Sequence, residues 1–251
     1  MFLEERHQQI RALLEREGRV TVAELAPRFG VTEDCIRKDL KQLAAEGQCR
    51  RVYGGATRME SPMVREVGDR LDLFATEKQA IASKAVELIR PRQTIFLDIS
   101  TTNLHVARLL AQQGVACTVV SPMIDILSAM AACPAITGIC PGGTMHAELN
   151  GFVGALAMEA LSRFRFEAAF LGAYGLDAEA REVTTYDTDD GLVKAAAIER
   201  SAHSYLVSEI RKVGTFGTYR YASFDDFDAF ICDDADSDDA AAIRDAGLEV
   251  L

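Results

Sequence analysis

Residues 31–56 read VTEDCIRKDLKQLAAEGQCRRVYGGA, and the fold of the N-terminal part turns on them. Ile36, Leu40 and Leu43 recur at i, i+4 and i+7, the spacing that lays side chains along one face of a helix. Arg37, Lys38 and Lys41 then project from the opposite face. Thr32 is placed to cap this helix, and Glu33 and Asp34 fall in its first turn, where the macrodipole favours acids. Gly47 is placed to end it. Arg50, Arg51 and Tyr53 follow, then Gly54 and Gly55, which suit a tight turn between strands. A short helix with a cationic face, followed by a small basic hairpin, suits the major groove of DNA and its flanking backbone.

Upstream, residues 3–17 predict a helix with Ile10, Leu13 and Leu14 as its apolar stripe and Gly18 at its end. Thr21 and Glu24 have the spacing of a capping box and open a second, short helix that turns Val22, Leu25 and Phe29 inward. Pro27 lies inside that helix, where the missing N–H costs up to ~3 kcal/mol. Gly30 supplies the turn into the 31–56 stretch. Helix, helix, turn, helix and basic ribbon make a winged helix-turn-helix over residues 1–57. A three-helix module that binds another protein is the alternative.

The net charge of −11 argues against nucleic acid until the chain is divided. Residues 1–59 hold 11 Lys and Arg against 9 Asp and Glu, so the acidic excess lies entirely in the remainder. That remainder would be repelled by DNA and is expected to face away from it. A surplus of two positive charges is small for a DNA binder, so affinity is expected to lean on where Arg and Lys sit and on two copies acting together as a homodimer or homotetramer. The six cysteines form no CxxC pair and read as free, buried thiols of a reducing compartment. No apolar run approaches the roughly 20 residues that span a bilayer, and the first residues show no signal-peptide pattern, so a cytoplasmic location with no membrane partner is expected.

Residues 58–75 lack periodicity and contain Pro62 and Gly68, which predicts a linker. From residue 76 to 251 apolar strands alternate with helices: strands near 94–98, 117–121, 136–140, 168–171, 205–207 and 230–233, and helices near 76–89, 102–112, 124–132, 152–163, 190–202 and 240–246. That alternation predicts an α/β domain with a mostly parallel sheet covered on both faces. In such sheets ligands bind beyond the carboxyl ends of the strands. Asp98, Ser100, Thr101 and Thr102 stand at one such end, directly before a helix, where hydroxyls and free N–H groups suit a phosphate or carboxylate. The same run serves equally as a plain Ser/Thr cap. Gly142 with Gly143, and Gly172 with Gly175, let a backbone approach a ligand closely, or simply turn the chain. Lys194 and Lys212 are candidate cations for the site, with a solvated surface position as the alternative for each. His146 lies just past the Gly142 pair and either touches ligand or is incidental. The four histidines show no zinc-ligand spacing, and neither a P-loop nor a nucleophile elbow is present, so no catalytic set, metal site or cofactor is expected.

With those residues in view, the chain resembles the DeoR family of bacterial transcriptional regulators. The likeness rests first on Leu25, Phe29-Gly30-Val31-Thr32, Ile36-Arg37-Lys38-Asp39-Leu40, Leu43, Gly47, Arg51 and Gly54-Gly55-Ala56. It extends through Arg70, Glu77-Lys78, Asp98 with Thr101-Thr102, Gly142-Gly143, Phe170-Leu171-Gly172 with Gly175, Lys194 and Lys212 to an effector domain of the ribose-5-phosphate isomerase fold. Ser100 stands where the family has Gly, Ser121-Pro122 where Thr-Asn is common, His146 near a usual Arg, and Glu209 in place of Asp. The resemblance implies a repressor of a sugar-use operon, released from double-stranded operator DNA by a phosphorylated sugar or related small metabolite. Thr32, Glu33, Asp34, Arg37, Lys38, Lys41, Arg50, Arg51 and Tyr53 would then contact DNA. Asp98, Ser100, Thr101, Thr102, Gly142, Gly143, Gly172, Gly175, Lys194 and Lys212 would form the effector site. A domain that retained sugar-phosphate isomerase activity, with Asp98 as its carboxylate base, is the competing expectation.

Overall fold

The 31–56 pattern folds as a helix and a two-stranded ribbon. The computed structural model describes residues 3–45, 48–58 and 73–251. It divides into two units, Met1–Met63 and Val64–Leu251. Gly47 and all but the ends of the expected 58–75 linker lie outside the described residues.

The first unit runs α1 (Leu3–Glu17), β1 (Arg19–Thr21), α2 (Val22–Phe29), α3 (Glu33–Ala45), β2 (Cys49–Val52) and β3 (Gly55–Arg58), with the strands in the order β1-β3-β2. Its core is the expected stripe: Ile10, Leu13, Leu14, Leu25, Ile36, Leu40 and Leu43 are buried together. The capping box forms, with the Glu24 N–H donating to Thr21 Oγ1 at 3.2 Å and the Thr21 N–H to Glu24 Oε2 at 3.2 Å. α2 runs only two residues past Pro27 before Gly30 closes it in the left-handed conformation. The sheet explains the double glycine. Gly54 turns the ribbon at φ +73°, and a Cβ on Gly55 would lie 2.0 Å from the Val20 carbonyl oxygen, so only glycine fits opposite β1.

One polar cluster is sunk into that core. Asp39 falls on the same face as Ile36 and Leu40, where an unpaired carboxylate would be costly. Arg6 Nε donates to its Oδ2 at 2.5 Å and Arg6 Nη2 to its Oδ1 at 3.0 Å, with His7 Nε2 3.3 Å from Oδ1. Arg6 also donates to Cys35 Sγ at 3.4 Å, so that side chain turns toward α1. This cluster ties α1 to α3 and fixes the angle of the helix that carries the exposed cations.

In the second unit six parallel strands lie in the order β14-β12-β9-β4-β5-β6: β4 is Thr94–Leu97, β5 Thr118–Val120, β6 Thr137–Ile139, β9 Ala168–Leu171, β12 Ser204–Val207 and β14 Ala229–Ile231. Helices cross over between them at Thr101–Gln113, Ile124–Ala131, Ala155–Leu161 and Thr188–Glu199, with Ala75–Glu87 before β4 and Asp238–Asp245 after β14. Phe96, Phe166, Phe170 and Phe230 are fully buried in its core. The outer edge of β14 is covered by the chain end, where the Leu251 N–H donates to the Phe230 carbonyl at 2.9 Å.

Two expectations need correction. The helix expected over 152–163 is shorter: Gly151–Val153 is a strand, β8, paired antiparallel with β7 (Thr144–His146), and the helix starts at Ala155. Gly154 between them adopts φ 89°, which breaks the helix there. A further antiparallel sheet was also unforeseen: β10 (Gly175–Asp177), β11 (Glu182–Thr185) and β13 (Tyr219–Ser223), in that order. Its strands are short and mostly polar, with no apolar run to announce them.

Candidate functional site

Each unit presents a candidate site. In the first, Thr32, Glu33, Asp34, Arg37, Lys38, Lys41, Arg51 and Tyr53 are all exposed; of Arg50 the backbone is described, as part of β2. Thr32 Oγ1 accepts the Cys35 N–H at 3.3 Å, the expected cap. Tyr53 is 96% exposed at the tip of the ribbon. The two acids of the first turn do more than offset the dipole. Arg37 Nη2 donates to Glu33 Oε2 at 2.6 Å and Nη1 to Asp34 Oδ1 at 2.7 Å.

In the second unit the chain runs β4, β5, β6 toward one side of the sheet and β9, β12, β14 toward the other. The order therefore reverses between β4 and β9, the place where open parallel sheets hold ligands. The candidate residues converge there. Asp98 follows β4 and Gly172 follows β9, and the Gly172 N–H donates to Asp98 Oδ2 at 2.7 Å. A Cβ on Gly172 would lie 2.8 Å from Ser100 Cβ, so the two loops touch. Lys212 Nζ donates to the Ala173 carbonyl at 2.8 Å. The β7–β8 hairpin packs beside this edge, since the Phe152 N–H donates to the Pro122 carbonyl at 3.0 Å and Gly151 abuts Ile99. That hairpin follows Gly142 and Gly143, both at positive φ, and brings His146 Nε2 within 3.5 Å of Asp187 Oδ2. Gly175 starts β10, where a Cβ would meet the Thr215 carbonyl; its role is close chain packing.

The chemistry at the centre differs from an open anion site. Lys194 is not on the surface, as one alternative had it; its side chain is 3% exposed. It is bonded to Asp98 Oδ2 and lies 3.0 Å from Asp190 Oδ1. Asn103 Nδ2 donates to Asp98 Oδ1 at 2.6 Å, and Thr185 Oγ1 to Asp190 Oδ2 at 3.0 Å. Burial works to lower the Lys194 ammonium, but the Asp190 and Asp98 carboxylates raise it above its ordinary value, so it stays charged. Burial raises the Asp190 carboxyl, with Lys194 opposing. Tyr221, whose hydroxyl donates to the Gly172 carbonyl at 2.9 Å, is pushed well above the usual phenol range by burial and by the two acids. The cluster locks β4, β9 and the Thr188–Glu199 helix together. Ser100 caps the next helix, its hydroxyl accepting the Asn103 N–H at 3.0 Å. Thr101 and Thr102 are buried in the first turn of that helix.

A second buried acid braces the same end of the sheet. Burial works to raise the Glu209 carboxyl, yet Lys212, Arg211, its own backbone N–H and Lys78 hold it down at about 2. Lys212 Nζ stands 3.1 Å from Glu209 Oε2.

Sequence reasoning missed Asn103, Thr185, Asp190 and Tyr221. Asp190 carried a usable signal: it sits four residues before Lys194 on one helix, the spacing of an ion pair. Asn103 and Thr185 lie five residues from Asp98 and Asp190 but on different elements, across a turn whose geometry residue spacing does not fix, and Tyr221 reaches the cluster from a strand 49 positions beyond Gly172.

Comparison with known proteins agrees with both units. The DeoR-like helix-turn-helix domain matches residues 6–62, and the DeoR C terminal sensor domain matches residues 74–234. An HTH-type transcriptional regulator of Haloferax volcanii is 31% identical over 100% of this chain and 98% of its own length. The glycerol-3-phosphate regulon repressor of Escherichia coli is 29% identical over 91% of this chain and 90% of its own. Among solved structures, a ribose 5-phosphate isomerase A from Methanocaldococcus jannaschii aligns at a TM-score of 0.40 and 11% identity, over 54% of this chain and 53% of that one.

Proposed function

The chain belongs to the DeoR family of DNA-binding transcriptional regulators, and we propose that it is a repressor of a sugar-metabolism operon that a phosphorylated sugar or related metabolite releases from its operator. The reading is supported most by the placement of the second site: Asp98, Ser100 and Gly172 meet where the strand order reverses. In this reading residues 1–57 bind DNA, 58–75 link, and 76–251 sense the metabolite. Asp98 and Lys194 build the floor of the effector site; Lys194 spends its charge on Asp98 and on Asp190. The groups that meet a phosphate in this reading are the first-turn backbone of the Thr101–Gln113 helix with Thr101 and Thr102, and the Gly142–Gly143 loop, with Lys212 held nearby on Glu209 and the Ala173 carbonyl. Arg37, Lys38 and Lys41 work in or beside the major groove, and Thr32, Arg50, Arg51 and Tyr53 hold phosphates. A single short helix reads few bases, so a homodimer or homotetramer presents paired copies to paired half-sites.

The test is operator release. The complex of the full chain with its footprinted genomic site is titrated with glycerol 3-phosphate and with hexose and pentose monophosphates, and anisotropy of the labelled duplex is followed. Release by one of these at micromolar to millimolar concentration is expected, and Thr102→Ala should weaken it. An operator complex that none of them disturbs overturns the phosphorylated effector, and absence of any genomic footprint overturns the operator itself.

A further inference from the structure

The first turn of α3 holds an arrangement that DNA binding alone does not require. Arg37 spends both terminal nitrogens on acids of its own helix, Nη2 on Glu33 and Nη1 on Asp34. All three side chains face solvent, Arg37 at 51%, Glu33 at 52% and Asp34 at 80% exposure. Exposed pairs of this kind are weak, roughly 0–1 kcal/mol each, so they exchange readily for a better partner. What counts as better depends on the duplex. Guanine offers O6 and N7, two uncharged acceptors spaced for one guanidinium fork, whereas a phosphate takes the same fork but brings a negative charge up to Glu33 and Asp34. Glu33 and Asp34 lie within one turn of Arg37, and an uncharged base edge repels them little. Facing backbone phosphate instead, they repel.

We propose that Glu33 and Asp34 form a discriminating clamp on Arg37: they compete with phosphate for the guanidinium, so that Arg37 leaves them more readily for a guanine than for a phosphate. Their effect is to lower binding to arbitrary DNA more than binding to the operator. They raise specificity by withholding a cation from phosphates.

The inference rests on α3 contacting DNA, which Arg37→Ala tests separately by its loss of operator affinity. The clamp is tested with the full chain carrying Glu33→Gln and Asp34→Asn together, on the operator and on a scrambled duplex, across 50–200 mM salt. On scrambled DNA, affinity should rise about 3–10-fold. There the slope of log affinity against log salt should steepen by about one, because Arg37 now meets a phosphate. The operator should gain less than scrambled DNA does, so that the ratio of the two affinities falls by about 3-fold or more. In an Arg37→Ala background the same two substitutions should leave the slope where it was. Equal gains on both duplexes, or a gain on scrambled DNA that persists without Arg37, would show only the removal of negative charge and would overturn the clamp. A loss confined to the operator would make the acids base readers and overturn it as well, as would no change on either duplex. The three residues lie outside the core, and an unchanged thermal melt confirms that the variants fold.

Discussion

Each of the two units contains a cation held between two carboxylates, and the two sets differ most in their access to water. In α3 the set is Arg37 with Glu33 and Asp34, half or more exposed and drawn from a single helix. In the sensor unit it is Lys194 with Asp98 and Asp190, with Lys194 and Asp98 meeting from elements 96 residues apart, no side chain more than 6% exposed. Water makes the first set cheap to open, and opening is what a residue that must exchange partners needs. Low dielectric makes the second set costly to open. There the removal of Lys194 leaves two carboxylates without their cation. In the proposed reading the exposed cluster serves recognition, while the buried one fastens the fold.

The strongest way to break this contrast is Lys194→Ala. It leaves Asp98 and Asp190 facing each other in the core, and the sensor unit should lose about 3–5 kcal/mol in denaturant unfolding. Arg37→Ala, by the same measurement on the first unit, should stay within about 0.5 kcal/mol. Similar losses for the two would erase the distinction.

Acid sharpens it next. Glu209 has a carboxyl held at about 2 against an ordinary 4.5. A depressed carboxyl stabilises the fold above its unfolded value and loses that contribution as pH falls. The loss should therefore run from about pH 4.5 down to about 2 and amount to about 3 kcal/mol. Glu209→Gln should flatten that limb of the stability profile. An unaltered acid limb would mean that the carboxylate does not brace the sheet.

Much of this was legible in residue order, and the exceptions share a cause. α1 to α3 and the strand Ala168–Leu171 follow from apolar spacing and caps, which act over a few residues. The ends of the Thr101–Gln113 helix were equally local. The β10-β11-β13 sheet was not legible, because β11 alternates with no clear apolar face and is held by partners remote in sequence. Asp98 and Lys194 stood out singly, while their mutual bond spans 96 positions and nothing in either neighbourhood encodes it. Asp39 shows the opposite case. Its place in the apolar face of α3 demanded a buried partner, though only the fold shows that Arg6 and His7 supply it.

The central claim is that the exposed cation reads bases while the buried one holds the fold. It is tested most directly by titrating Arg37→Ala and the unaltered protein against the operator and a scrambled duplex at one salt concentration. The account predicts a loss of about 1–3 kcal/mol on the operator, roughly 5- to 150-fold, with scrambled DNA bound nearly as before. Equal losses on the two duplexes would make Arg37 a phosphate contact and contradict it.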